Sequence, residues 1–124
     1  MPIIVEIIDF PSEQDREDLT KIYLDAPNWM LCDYENHHAI SRVKQFVQSI
    51  IEQPVTHFIG ARFNDRLVGA AVVEQLEHDW HIRSMCVRKV TRNRGVGKRL
   101  HAEINRLAQQ QQVNLVFEQA PKDF

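Results

Sequence analysis

Positions 92 to 100 read RNRGVGKRL, three arginines and a lysine around two glycines. The stretch follows a run with the character of a buried strand and opens one with the character of an amphipathic helix. The first amides of a helix have no internal acceptor and point outward as donors. The helix dipole adds roughly half a positive charge at the same place. Gly95 and Gly97 remove side chains, so that an anion can reach the backbone. Arg92, Arg94 and Lys98 add direct and longer-range attraction. Together these features suit a compact, multiply charged phosphate. Two familiar phosphate loops are excluded by spacing. A P-loop needs glycine five residues before the Gly97-Lys98 pair and serine or threonine after it, and Arg92 and Arg99 stand there. A dinucleotide fingerprint starting at Gly95 needs a third glycine where Leu100 stands.

The charge distribution supports a local site. The chain has 124 residues and a formal net charge of −2. From Arg83 to Arg99 there are seven basic residues and no acid, and the remainder carries eight basic and seventeen acidic residues. An acidic body with one basic segment points to a confined anion site, not a broad nucleic-acid surface. No aromatic side chain is interleaved with the charges to stack on bases. Cys32 and Cys86 are far apart and form no CxxC pair, which fits a reducing cytoplasm. His78 and His81 lie three apart on strand-like sequence, a spacing that does not bring two rings to one metal, and His37-His38 is no better; no metal is expected.

The elements that must position the turn can be read from patterning. The length suits one domain, residues 1–124, with its own core. No apolar run approaches the ~18 residues of a membrane span. Ile3 to Asp9 reads as a strand and not as a signal peptide. Ser12 and Asp15 form a capping-box-like start. Leu19, Ile22, Tyr23 and Ala26 then share a helical face that Pro27 ends. Residues 28–36 read as a loop whose Trp29, Met30 and Leu31 either fold back on the core or form an exposed contact patch. Ile40, Val43, Val47, Ile50 and Ile51 mark a second helix, ended near Pro54. Segments 57–63 and 66–73 flank Asn64-Asp65 as a hairpin. Residues 81–88 are a further strand. Val96, Leu100, Ile104, Leu107 and Ala108 stripe a third helix, and 113–118 is a last strand. The order β-α-α-β-β-β-α-β gives an α/β (α+β) sandwich with a mixed sheet.

Val87, Arg92, Gly95 and Gly97 form the pattern V-x4-R-x-x-G-x-G between strand and helix. This resembles motif A of the GCN5-related N-acetyltransferase (GNAT) superfamily. The resemblance implies the GNAT fold, with acetyl-CoA (or CoA) as cofactor. Its pyrophosphate would be wrapped by Thr91, Arg92, Asn93, Arg94, Gly95, Val96, Gly97 and Lys98. The preceding strand would splay from its neighbour, and Met85, Cys86 and Val87 would offer backbone to the pantetheine arm. Acetyl transfer would need a general base and an acid. Many members use a tyrosine on a helix after the fifth strand as the acid. Here Tyr23 and Tyr34 lie far upstream, and six residues follow Glu118. The fold is therefore expected to be truncated after its fifth strand, without the usual acid. Base candidates are Glu74 and Glu118, with Glu77 and His81 beside them.

Three segments resemble a narrower group: SEQDREDLTKIY (12–23), ARFNDRLVGAAVV (61–73) and VRKVTRNRGVGKRL (87–100) are similar to the PanZ (PanM) family. That resemblance implies an acetyl-CoA-dependent factor that promotes self-cleavage of the aspartate 1-decarboxylase (PanD) zymogen and regulates the enzyme. It places Arg62, Phe63, Asn64, Asp65 and Arg66 on a partner-facing turn; turn geometry alone also accounts for Asn64. The longer region 27–56 and the short C-terminus depart from the family pattern. The alternative is an N-acetyltransferase acting on an unidentified amine.

Overall fold

A computed structural model describes residues 2–27, 30 and 39–118. In chain order these form β1 (Ile4–Ile8), α1 (Glu13–Leu24), α2 (Ala39–Glu52), β2 (Thr56–Phe63), β3 (Arg66–Gln75), β4 (Asp79–Val87), a short 3-10 turn (Lys89–Thr91), α3 (Val96–Gln111) and β5 (Asn114–Phe117). The order is the one expected from patterning. The strands form one sheet in sequence order, antiparallel from β1 to β4 and parallel between β4 and β5. A parallel neighbour needs a crossover, and α3 supplies it.

Local chemistry explains the element boundaries. The Ser12 hydroxyl accepts from the Asp15 amide at 3.0 Å, and the Asp15 carboxylate accepts from the Ser12 amide at 3.2 Å. This is the capping box anticipated from sequence. α1 stops at Leu24, with Asp25 as its C-cap, before Pro27 is reached. Ala26 lies past the helix but still packs on the core, as does Met30. Asn64 and Asp65 both take positive φ (50° and 67°), so the hairpin turns on the two residue types suited to that backbone. The other expectations for 28–38, on Trp29, Leu31, Cys32, Tyr34 and the pair His37-His38, lie outside the described residues, as does the tail from Gln119.

The sheet has a different core on each face. α3 covers one side, where Val96, Leu100, Ile104 and Ala108 meet Ile59, Ala71, Val73, Ile82 and Val87. α1 and α2 cover the other, where Leu19, Ile22, Tyr23, Phe46 and Ile50 meet Phe58, Leu67, Val72 and Cys86. β3 is buried without a break from Leu67 to Val73, as its continuous apolar run requires of a strand covered on both faces. Gly69 has a packing reason to be glycine. A Cβ there would lie 3.1 Å from Val96 Cγ1, so its absence lets the first turn of α3 settle on the sheet beside Val87.

Candidate functional site

The site begins where, among the described residues, the ladder between β4 and β5 ends. The parallel ladder runs from Asp79–Asn114 to Ile82–Phe117, with a last bond from the Glu118 amide to the Ile82 carbonyl at 3.0 Å. From Arg83 to Val87, β4 continues with no β5 partner among the described residues. Met85, Cys86 and Val87 lie in this stretch, all with buried side chains. What they can offer a ligand is backbone.

The ladder with β3 also changes here. Val72 opposes Arg83 but Ala70 opposes Cys86, so Ala71 faces both Ser84 and Met85. This is a β-bulge, one extra residue on β4. Ser84 carries it at φ 55°, an uncommon backbone for serine. The side-chain alternation slips by one. Arg83 and Cys86 lie on the α1/α2 face, while Met85 and Val87 join Ile82 on the α3 face. The Ser84 carbonyl accepts a hydrogen bond from the Tyr23 hydroxyl at 2.8 Å.

Past Val87 the chain turns toward α3. The Thr91 hydroxyl donates to the Arg88 carbonyl at 3.0 Å and closes the 3-10 turn. Asn93 and Gly95 have φ of 66° and 81°, while Arg94 between them does not enter the positive region. Such alternation turns successive amides inward and makes an anion-binding concavity. The first helical bond of α3 runs from the Arg99 amide to the Gly95 carbonyl at 2.9 Å. The amides of Val96, Gly97 and Lys98 therefore have no acceptor within the helix. Gly97 is buried; Gly95 is exposed, and a Cβ on it would touch nothing within 4 Å. Its glycine is required by backbone conformation, not by space.

The cations of the turn divide into two groups. Arg92 does not face outward. Its Nε donates to the Val87 carbonyl and one terminal nitrogen to the Asp25 carbonyl, both at 3.0 Å. The Asp25 carboxylate accepts from the Lys89 amide at 2.9 Å. Arg92 and Asp25 thus staple the turn to the end of β4 and the C-cap of α1, where sequence reading gave Arg92 an attractive role toward phosphate. Arg94 and Lys98 are exposed and, among the described residues, have no ion-pair partner; Arg99 shares its charge with Glu103 at 3.9 Å. Inward-turned amides beside two unpaired cations fit a compact anion with several oxygens, such as a diphosphate.

The remaining candidates lie elsewhere. Glu74 and Glu118 are on the α1/α2 face of the sheet, flanking His81 on β4. His81 Nδ1 meets Glu118 Oε1 at 3.1 Å, and Arg83 approaches Glu74 at 3.8 Å. All four are partly exposed, and the structure joins them in one polar strip. Glu77 and His78 form a separate exposed pair at 3.7 Å. Burial pushes the Cys86 thiol up to about 11 despite nearby Arg92, and its Sγ donates to the Ile22 carbonyl; it is a packed thiol and not a nucleophile. Among the described residues no group of three or more His, Cys, Asp or Glu is placed to hold a metal, and no helix is long and apolar enough to cross a membrane.

The hairpin tip is anchored from below. Arg62 forms a two-pronged bond to Asp15 (2.8 and 3.1 Å) and a third contact to Glu6 at 2.7 Å. Arg66 grips Asp18, which also accepts from the Leu67 amide at 3.1 Å and from Gln14. Both arginines of the 62–66 segment therefore bind α1 of the same chain, Phe63 is half-buried, and Asn64 and Asp65 form the exposed tip.

The sequence profile described as acetyltransferase (GNAT) domain, PanZ, matches residues 2–121. The chain belongs to the PanZ family of GNAT domains. Solved structures carry the same fold at low identity. A GNAT family acetyltransferase from Staphylococcus aureus is 15% identical, with 98% of this chain and 89% of that one covered and a TM-score of 0.68. A ribosomal-protein-alanine N-acetyltransferase from Brucella melitensis biovar Abortus is 16% identical over 98% and 82% of the two chains, with a TM-score of 0.66. The PaiA N-acetyltransferase of Thermoplasma acidophilum, in complex with coenzyme A, is 13% identical over 91% and 76%, with a TM-score of 0.61. No curated protein sequence matches the chain. The PanZ-family fold accounts for the mixed sheet and the strand-turn-helix site.

Sequence reading passed over several residues that shape this site. Tyr23 is remote in sequence, and it reaches the bulge. Asp25 and Gly69 carry no local sequence signal of the contacts they make. The only trace of the bulge is that polar–apolar alternation in His81–Arg83 gives way to the apolar run Met85–Val87.

Proposed function

We propose that this chain binds acetyl-CoA, with the diphosphate on the 91–98 turn and the pantetheine arm along the free edge of β4. The proposal extends to a cytoplasmic single-domain protein that promotes and regulates maturation of the aspartate 1-decarboxylase (PanD) zymogen. The carrying observation is the turn: φ alternates in sign at Asn93, Arg94 and Gly95 where β4, among the described residues, has no β5 partner. The PanZ profile over residues 2–121 supports the regulatory part. The exposed tip at Asn64 and Asp65, flanked by the Arg62–Asp15 and Arg66–Asp18 pairs, is the surface proposed to meet the partner.

Acetyl-CoA at about 100 times its Kd should raise the melting temperature by several degrees, because it binds only the folded state. An unchanged melting temperature at saturating ligand would sink the cofactor reading. Mixed with PanD zymogen, the protein should speed chain cleavage in an acetyl-CoA-dependent way. Equal cleavage with and without it removes the regulatory role.

A second reading, N-acetyl transfer to an amine, is favoured by the polar strip of Glu74, His81, Arg83 and Glu118 beside the unpaired part of β4. Glu118 or Glu74 would take the amine proton. Release of CoA thiol on addition of amines, with PanD cleavage unaffected, would select this reading.

A further inference from the structure

The β4 bulge determines which backbone groups the strand offers a ligand. Between Arg83 and Cys86 the register with β3 advances by one residue. Without the extra residue, every carbonyl and amide after it would point to the opposite edge. With it, the Arg88 amide turns to β3, bonding the Val68 carbonyl at 3.0 Å. The Val87 carbonyl turns outward, where Arg92 reaches it. The bulge rests on Ser84 at φ 55°, a conformation disfavoured for any residue with a Cβ.

Such a backbone persists only where its surroundings over-determine it. Ser84 is 6% exposed and Tyr23 1%. The Tyr23 ring is fixed by Phe46 and Phe58, with centroids 4.8 and 5.8 Å away. Its hydroxyl is delivered through the core to the Ser84 carbonyl at 2.8 Å. A tyrosine so enclosed cannot exchange protons with a ligand.

We propose that Tyr23 is a positioning residue: from α1 it holds the Ser84 bulge and so sets the β4 edge that receives the acyl-pantetheine arm. This rests on the acetyl-CoA reading of the site and adds to it a residue on another element. The diphosphate turn shares the Val87 contact of Arg92 with this edge but keeps two anchors on Asp25 that do not depend on the bulge, from the Arg92 guanidinium to its carbonyl and from the Lys89 amide to its carboxylate, so the two halves of the ligand should respond differently to loss of the hydroxyl.

The test uses two probes, acetyl-CoA and ADP, which carries a diphosphate without the pantetheine arm. Tyr23→Phe keeps the ring and removes the hydroxyl. By calorimetric titration it should weaken acetyl-CoA about fivefold, the scale of one buried hydrogen bond, and leave ADP within about twofold. Ser84→Gly adopts positive φ without help, so Tyr23→Phe/Ser84→Gly should regain most of the lost affinity. Equal weakening of both probes, no weakening of either, or a double variant no better than Tyr23→Phe overturns the proposal. The double variant also decides the matter if Tyr23→Phe does not fold. Wild-type protein that binds neither probe overturns the site reading itself, and this inference with it.

Discussion

Arg92 and Lys98 stand six positions apart in one basic run, yet their surroundings assign them different work. Arg92 donates to two backbone carbonyls on two elements, at the end of β4 and at the C-cap of α1. Lysine has one nitrogen and cannot span both. Arg92→Lys should therefore lower stability by about 2 kcal/mol, the scale of hydrogen bonds from a charged donor, with no ligand present. Lys98→Ala removes an exposed cation with no ion-pair partner among the described residues. It should leave the urea midpoint unchanged and weaken acetyl-CoA binding severalfold. Paired denaturation and titration curves check both. If Arg92→Lys behaved as Lys98→Ala does, the staple would be refuted. Sequence shows that a residue is charged but not which carbonyls stand beside it, so Arg92 read as a phosphate contact.

At the scale of elements, the β2–β3 hairpin is fastened to α1 through two aspartates that patterning had assigned only to a helix. Hydrogen bonding from Arg62 holds the Asp15 carboxyl below its ordinary range against the opposing effect of burial. For Asp18 burial is the largest influence and pushes upward, but Arg66, the Leu67 amide and Gln14 together outweigh it, and the net direction is down. Lowered folded-state values stabilise the protein above the unfolded carboxylate range, and that stability is lost as pH falls through the folded values. Asp18→Asn should cost about 1–3 kcal/mol at neutral pH, and its deficit relative to wild type should shrink toward pH 3 as the wild-type carboxylate protonates. Urea unfolding at pH 7 and pH 3 measures this, and a deficit independent of pH would exclude the charge as its source. The elements themselves were legible because their signals are local: Ser12 with Asp15, Asn64 with Asp65, the stripe from Val96 to Ala108. Pairings such as Asp15–Arg62 and Asp18–Arg66 bridge almost fifty residues, and no local periodicity reports them. The bulge at Ser84 was hidden for a related reason, since serine has no special propensity for positive φ and only the register with β3 reveals it.

Over the whole molecule, the contrast between an acidic body and a basic turn sets which anions can bind. The segment 83–99 holds seven basic residues and no acid, and the remaining chain has nine more acidic than basic residues. Several of the seven are engaged internally: Arg92 with carbonyls, Arg83 with Glu74, Arg99 with Glu103. Among the described residues Arg83 and Arg99 are offset by acids, so the outward positive field comes from the segment Arg88–Lys98, with the side chains of Lys89, Arg94 and Lys98 the most exposed. It acts over about 8 Å at physiological ionic strength before screening removes it. A ligand that places a few phosphate charges on the turn gains from this field, while a long polyanion must also lie against the acidic remainder. Acetyl-CoA affinity should therefore fall only severalfold between 50 and 200 mM salt. A nucleic-acid interface making six to ten phosphate contacts would lose about a thousandfold or more over the same range. Titrations across that range, with a duplex DNA control at low salt, separate the two. Tight DNA binding with a steep salt slope would mean that the basic segment serves a surface, and the confined diphosphate site would have to be abandoned.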